Sequence, residues 1–306
     1  MLPTKNGVGP SCISLPTGPW LTLLDFLADR FPHVARAELV SRMQRGDVVD
    51  SAGGLVLPTR AYQAHLKLYY YRHIEDEPRI PFDEVVLFQD DYIVAVDKPH
   101  FLPISPAGRY VQETVLVRLK RKLGIDTLAP MHRLDRETAG VVLFTVQPDL
   151  RDQYARMFRQ KKVVKQYQAI ARWRADLNFP LTHKSRMVAG DHFMRMREVN
   201  TTDAADDKHH EDGALNSETR IEVMEIKGAL ARYRLLPITG KKHQLRIHMA
   251  ALGLPILHDQ IYPVHVEYDD RDYTKPLQLL AQSIGFCDPV TGQQRHFESQ
   301  RNLIAL

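Results

Sequence analysis

The sequence predicts an α+β fold: a mixed, largely antiparallel sheet flanked by helices, with a small helix-and-hairpin module ahead of it. Three observations carry that reading. Strand-like segments dominate from Glu84 onward. Helical stretches are scattered among them without regular βαβ alternation. The first eighty residues instead hold two short helical stretches and a glycine-marked turn. The expected organisation is an N-terminal arm over 1–20, a small module over 21–83 and a larger domain over 84–306.

The first twenty residues are rich in Gly, Pro and Ser, which predicts a loose or draped arm. Thr22 is placed to cap a helix carrying Leu23, Leu24, Leu27 and Phe31, with Pro32 as its stop. A second helix is expected from Ala35 to Arg45, on the stripe Leu39, Val40 and Met43. Gly53-Gly54 after Val48-Val49 predicts a hairpin. In the larger domain, strands are expected over Glu84–Phe88, Tyr92–Val96, Val141–Thr145, Val164–Trp173, Phe193–Val199, Thr219–Ile226 and Leu230–Leu236. Helices are expected over Thr114–Leu123, Asp149–Gln160 and His243–Leu252, two of them stopped by Gly124 and Gly253. The polar, acidic stretch 200–218 is expected to be a solvated loop.

A composition of 44% hydrophobic and 25% charged residues fits a folded chain and excludes a disordered one. No apolar run reaches the 18 or so residues of a membrane span, and residues 1–18 lack a signal-peptide core, so a cytoplasmic protein with no membrane partner is expected. Cys12 and Cys287 match no metal spacing and are expected to be reduced, packed thiols. Nothing suggests a coiled coil, and a monomer is expected. The net charge of +4 is too small to identify a polyanionic partner, so the placing of the charge matters more. Eight Lys/Arg lie between Arg151 and Arg174 against one acid, Asp152, interleaved with Tyr154, Phe158, Tyr167 and Trp173. Arg118, Lys120, Arg121 and Lys122 form a second cluster. That mixture suits a surface that neutralises phosphates and stacks bases, although a charge run is also what a solvated helix face looks like.

The stretch Met131-His132-Arg133-Leu134-Asp135-Arg136-Glu137-Thr138-Ala139-Gly140 is the most informative. Asp135 sits among basic side chains, and a carboxylate so flanked stays ionised and can serve as nucleophile or base. Taken alone, the same pattern also fits a surface ion pair.

Four ordered segments widen the signal. His132-Arg133-Leu134-Asp135-x-x-Thr138-Ala139-Gly140 is preceded by Asp97-Lys98-Pro99 and followed by Lys165-Gln166-Tyr167-Gln168-Ala169. Thr239-Gly240-Lys241-Lys242-His243-Gln244-Leu245-Arg246-Ile247-His248 completes the set, with Asp259 to Tyr262 downstream. Over residues 84 to 300 this resembles the RluA-type pseudouridine synthases. The resemblance implies isomerisation of uridine to pseudouridine in structured rRNA or tRNA, with no cofactor and no metal. It makes Asp135 the catalytic carboxylate, Arg246 its partner, and Tyr167 the ring against which a flipped base packs. Arg133 would fill the space the base vacates or grip the backbone, and Lys98, Lys165, His132 and His243 would contact RNA. The N-terminal module resembles the compact RNA-binding module of a ribosomal small-subunit protein, which would make Arg42 and Arg45 RNA contacts; Met1 to Ile80 nevertheless carries only nine Lys/Arg against eight Asp/Glu.

Several positions depart from the family pattern. Lys-Pro-x-Gly is Lys98-Pro99-His100-Phe101 here, His-Pro is Ser105-Pro106, and the glycine before the later aspartate is His258. Gly-Arg-Thr-His-Gln is Gly240-Lys241-Lys242-His243-Gln244, and Leu-His-Ala is Leu279-Leu280-Ala281. Two other function classes compete. One is an RNA-binding protein that keeps the fold without turnover. The other is a carboxylate hydrolase of nucleosides or sugars, which needs a second acid in a comparable setting. A phosphate-loop or dinucleotide enzyme is disfavoured by the lack of a glycine-rich loop after a strand.

Overall fold

Thr22 starts the first helix. Its hydroxyl accepts from the Asp25 N–H while the Asp25 carboxylate accepts from the Thr22 N–H, a reciprocal capping box. In this computed structural model, residues 2–72, 74, 76–190, 195–199, 214–266 and 272–304 are described. They fall into two compact units, Met1–Arg79 with Ser105–Asp126, and Ile80–Ile104 with Thr127–Leu306.

In the first unit, the stretch expected as a loose arm contains strand β1 (Ser11–Ser14). Helices α1 (Leu23–Arg30) and α2 (Arg36–Gln44) follow, then strands β2 (Val48–Asp50) and β3 (Lys67–Tyr70). The strands form an antiparallel sheet in the order β1-β3-β2, so β2 finds its main partner in β3, with only the bridge Val49–Leu55 across the Gly53-Gly54 turn. Leu24, Leu27, Leu39, Met43, Val48 and Leu68 share one buried cluster that joins both helices to this sheet. Cys12 is exposed on β1 and Cys287 is exposed too, so both thiols are free but neither is packed.

The second unit begins with the hairpin β4 (Val85–Gln89) and β5 (Ile93–Lys98). Helix α3 (Val115–Leu123), capped by Thr114 and stopped by the left-handed Gly124, belongs to the first unit. The second unit then continues with β6 (Ala129–Pro130), β7 (Ala139–Thr145), α4 (Arg151–Arg159), β8 (Val163–Arg172), β9 (Leu181–Ala189) and β10 (Met196–Val199). Residues 193 and 194 of the strand expected there lie outside the described residues, as do 200–213 of the expected acidic loop. The chain resumes into β11 (Ser217–Lys227), β12 (Leu230–Pro237), α5 (Gln244–Ala251), β13 (Leu279–Cys287) and β14 (Gln294–Glu298).

These strands make one eleven-stranded sheet ordered β10-β9-β11-β12-β8-β13-β7-β5-β4, with β14 added to β13 and β6 to β7. Among the described pairs only β7 and β13 run parallel, which makes the sheet mixed and largely antiparallel. β5 and β7 lie inside the sheet and are buried at every residue, as the apolar runs Ile93–Val96 and Val141–Phe144 require, and β5 carries the charged Asp97 and Lys98 into the interior at its end. Helix α4 packs Tyr154 and Met157 onto Val141, Leu143 and Ile284. Helix α5 packs Leu245 and Met249 onto Ala169, Tyr233 and Leu235.

Two local devices hold the site-bearing segments. Gly140 has φ +112°, and a Cβ there would stand 2.2 Å from the Ala281 carbonyl oxygen, so only glycine allows β7 and β13 to pair. On α5, the His248 imidazole meets the Ser185 and Ser217 hydroxyls at 3.2 and 3.0 Å through Nε2 and Thr219 at 2.9 Å through Nδ1, fastening the helix to β9 and β11. Burial, reinforced by the nearby His183, lowers the His248 pKa to about 4. Burial and the charge of Lys165 lower His132 to about 3.

Gly140→Ala is expected to destabilise the second unit by at least about 2 kcal/mol, read from urea unfolding, because a left-handed residue and a backbone clash coincide. The imidazoles predict a pH dependence. Both folded-state values lie below the unfolded 6.5, so the unfolded chain binds the extra protons. The contribution of these two imidazoles should therefore be complete above about pH 6.5 and be lost as pH drops towards 4, and His248→Gln should flatten part of that slope.

Candidate active site

Asp135 stands on the turn between β6 and β7, closed by the Thr138 N–H donating to the Asp135 carbonyl at 3.2 Å. The segment after β5 cradles this turn. Lys98 donates to the carbonyls of Pro99, Leu102 and Arg136, each at 2.9 Å. His100 Nδ1–H donates to the Glu137 carbonyl at 2.6 Å, and Arg136 returns a bond to the Phe101 carbonyl at 3.0 Å. Lys98 has no exposed surface, which is not the position of a phosphate ligand; its ammonium pins the Asp135 turn instead. Burial lowers its pKa to about 7 against the opposing charges of Glu137 and Asp135. Phe101 occupies the family's glycine position with φ +67° and His258 does so with φ +64°, so both departures keep the left-handed backbone that glycine takes easily.

Arg246, on α5, is the partner of Asp135. Its Nη1 lies 3.4 Å from Asp135 Oδ2 and 3.9 Å from Glu137 Oε2. Its Nε and Nη2 donate to Asp259 at 2.8 and 2.7 Å, a two-pronged grip. Burial alone would lower its pKa, but the hydrogen bonds and charge of Asp259, with Asp135 and Glu137, raise it above the usual arginine value. Asp259 is equally buried, and its Oδ1 also accepts from the N–H groups of Ile261 and Tyr262.

His243 caps α5 in a left-handed conformation, with Nε2 3.7 Å from Asp135 Oδ1. Burial lowers its pKa to about 4, so it is neutral at pH 7 and is no cation for phosphate. Tyr167 projects from β8; burial and the Asp135 charge push its phenol well above its usual pKa. Lys165, two residues earlier, donates to the Thr239 carbonyl at 3.3 Å, and burial lowers its pKa. His132 accepts from the Leu143 N–H at 3.1 Å and stacks on Phe158 at 5.0 Å, so it too is neutral and tied to β7. Arg133 is exposed.

Asp135, Tyr167, Arg246, His243, Lys165, His132 and Arg133 all line one cavity of about 690 Å³, together with apolar Leu134, Leu245 and Leu279. Among its described lining residues Asp135 is the single carboxylate, facing Arg133, Arg159, Lys161, Lys165, Lys241, Lys242 and Arg246. The second acid a glycoside hydrolase needs is therefore missing from the lining: Asp259 and Glu137 flank Arg246 from outside it. An electropositive cavity of this size with apolar walls and one carboxylate accommodates a nucleotide and can act on it covalently or as a base.

Arg42 and Arg45 are not part of this cavity. They lie on α2 and its C-cap in the first unit, where Arg42 pairs with Glu38 at 2.6 Å and Arg45 with Asp47 at 3.4 Å. Sequence reasoning missed Asp259 as the anchor of Arg246; its place in the downstream Asp259-to-Tyr262 segment was the available signal. It also missed a cluster of His183, Glu198 and His248, whose ligand atoms lie within 4.8 Å of one another. Both nitrogens of His248 are already hydrogen-bonded to hydroxyls, so the cluster serves as a structural network.

The sequence profile of the family described as RNA pseudouridylate synthase matches residues 92–251. An RNA pseudouridine synthase of Synechocystis sp. is 30% identical over 245 residues, 78% of this chain and 79% of its own. The tRNA pseudouridine synthase C of Pasteurella multocida is 32% identical over 226 residues, covering 68% and 88%. The structure of human RNA Pseudouridylate Synthase Domain Containing 1 superposes with a TM-score of 0.56 at 21% identity over 74% of this chain and 86% of its own, which shows the shared fold. Together with the ordered motifs around Asp135, Tyr167 and Arg246, these matches establish that the chain belongs to the RluA-type RNA pseudouridine synthases, a family of isomerases.

Proposed function

We propose that this protein converts uridine to pseudouridine within structured rRNA or tRNA, with Asp135 as the catalytic carboxylate acting on a uridine flipped into the cavity. One observation carries the reading: among the described lining residues Asp135 is the single carboxylate, backed by a buried guanidinium, in a cavity whose other charged side chains are all cationic. A uridine inside a helix or loop stack is out of reach of such a group, so it must leave the stack at a cost of a few kcal/mol. Stacking on Tyr167 returns about 1–3 kcal/mol of that, and the surrounding cations hold the flanking phosphates.

In the reaction, Asp135 begins cleavage of the N1–C1′ bond. The freed uracil turns within the cavity and the C5–C1′ bond forms. C5 loses its proton and N1 gains one, so the product is an isomer and no group is added. Arg246 orients the carboxylate, and the exposed Arg133 occupies the space left in the RNA. Lys165 and the Arg151-to-Arg174 strip supply further phosphate contacts, and Arg42 and Arg45 supply them from the first unit. Leu134, Leu245 and Leu279 limit water at C1′, which would otherwise divert the reaction to hydrolysis.

Asp135→Asn should bind RNA with wild-type affinity and form pseudouridine at least about 1,000-fold more slowly, measured by chromatographic separation of the nucleosides from digested RNA of cells lacking the gene. Normal turnover by that variant contradicts the assignment; RNA binding with no product even in the wild type would instead mark a fold retained for binding alone. Lys161→Ala and Lys241→Ala should each reduce the slope of log affinity against log salt by about 0.7 to 0.9, seen in RNA titrations from 50 to 200 mM salt. An unchanged slope would place the RNA elsewhere.

A further inference from the structure

Arg246 hydrogen-bonds to one of the two Asp135 oxygens. It approaches Oδ2 at 3.4 Å, while Oδ1 faces His243 Nε2 at 3.7 Å. On its other side the imidazole meets Tyr262: His243 Nδ1 lies 2.9 Å from the Tyr262 hydroxyl. That hydroxyl already accepts from the Met196 N–H at 2.9 Å. Among the described residues the phenol proton has no acceptor other than His243 Nδ1. With the phenol oxygen already accepting from Met196 N–H, donation of its own O–H to Nδ1 places the ring proton on Nε2, on the side of Asp135.

We propose that His243 is a positioning residue for Asp135: the Tyr262 hydroxyl fixes it as the Nε2–H tautomer, and it donates to the carboxylate oxygen that Arg246 leaves uncovered. The inference rests on the reading of Asp135 as the catalytic carboxylate and adds what orients it. Three further features support it. The His243 side chain is 8% exposed, too enclosed to reach a phosphate outside the cavity. Burial, with the charges of Arg246 and Lys242, outweighs Asp135 and Asp259 and keeps the imidazole neutral, so it can give a hydrogen bond without contributing a full positive charge. Tyr262 also lays its ring against the Arg246 guanidinium at 5.5 Å, so one side chain braces both groups that face Asp135.

The 3.7 Å separation is too long for a hydrogen bond in the free protein. Movement of well under about 1 Å closes it, and catalytic hydrogen bonds commonly tighten when substrate enters. His243 thereby holds the plane of the carboxylate across the reaction while leaving the outward lone pairs for the nucleotide. A third group that orients a reactive pair is a recurring arrangement in covalent catalysis, and loss of such alignment costs rate before affinity.

The test uses the full-length protein and RNA from cells lacking the gene. It measures single-turnover pseudouridine formation, RNA affinity by filter retention, and imidazole tautomers by nitrogen-15 NMR. His243→Ala should slow the reaction about 10- to 100-fold with affinity unchanged within about twofold. His243→Gln, whose amide N–H falls near the position of Nε2–H, should recover most of the rate. The wild-type His243 resonances should show the Nε2–H form, and Tyr262→Phe should mix the tautomers and slow the reaction. A wild-type rate in His243→Ala, a loss of affinity in place of rate, or an Nδ1–H tautomer overturns the proposal. Asp135→Asn is assayed alongside: turnover there would sink the reading of Asp135, whereas an inactive Asp135→Asn beside a fully active His243→Ala sinks only the role given to His243.

Discussion

The grip between Arg246 and Asp259 is the constraint on which the rest of the site depends. A guanidinium with 1% of its side chain exposed must be neutralised where it lies, because removing an ion from water costs several kcal/mol even after relaxation. Asp259 does this by accepting two hydrogen bonds, from Nε and Nη2, and also accepts from two backbone N–H groups. Arg246 is thereby fixed before any substrate arrives, with Nη1 left facing Asp135 and Glu137. The pairing with Asp259 is short and that with Asp135 long, which separates the carboxylate that anchors the guanidinium from the one that opens on the cavity.

The fold brings the remaining parts to that point from different elements. Asp135 rides on a turn ahead of β7, Tyr167 on β8 and Arg246 on α5, and β7 and β8 both pair with β13. Close approach of β7 to β13 needs the bare backbone of Gly140. The turn itself is held from below by Lys98, His100 and Arg136, so its geometry is set by carbonyl contacts and not by the loop's own propensity. The charge of the cavity follows from the same economy of acids: one carboxylate reaches the lining while its acidic neighbours are turned towards Arg246.

Much of the fold is legible in the sequence alone. Asp135, Tyr167 and Arg246 sit in motifs whose order and spacing are long enough to be specific, and strands such as β5, β7, β8, β11 and β12 announce themselves through apolar runs or alternation. What was not legible depends on tertiary direction. Lys98 and His132 have the residue types of phosphate ligands, yet one is buried under three carbonyls and the other bonded to a strand N–H. Nothing local says which way a lysine at the end of a strand will point. β3, β9 and β13 carry mixed polar and apolar residues that become strands only because neighbouring edges pair with them. Cys12 and Cys287, expected to be packed, lie exposed on strands, a matter of register that composition does not contain.

The central claim is that a nucleotide leaves its stack to meet Asp135 in this cavity. The most direct measurement is the structure of the Asp135→Asn protein bound to the RNA that the wild type modifies. The account predicts a flipped uridine with its base on the Tyr167 ring and its C1′ or C6 within about 3.5 Å of the residue-135 side chain, the reach of a near-attack arrangement. RNA bound with its uridines still stacked, or engaged away from the cavity, would contradict it.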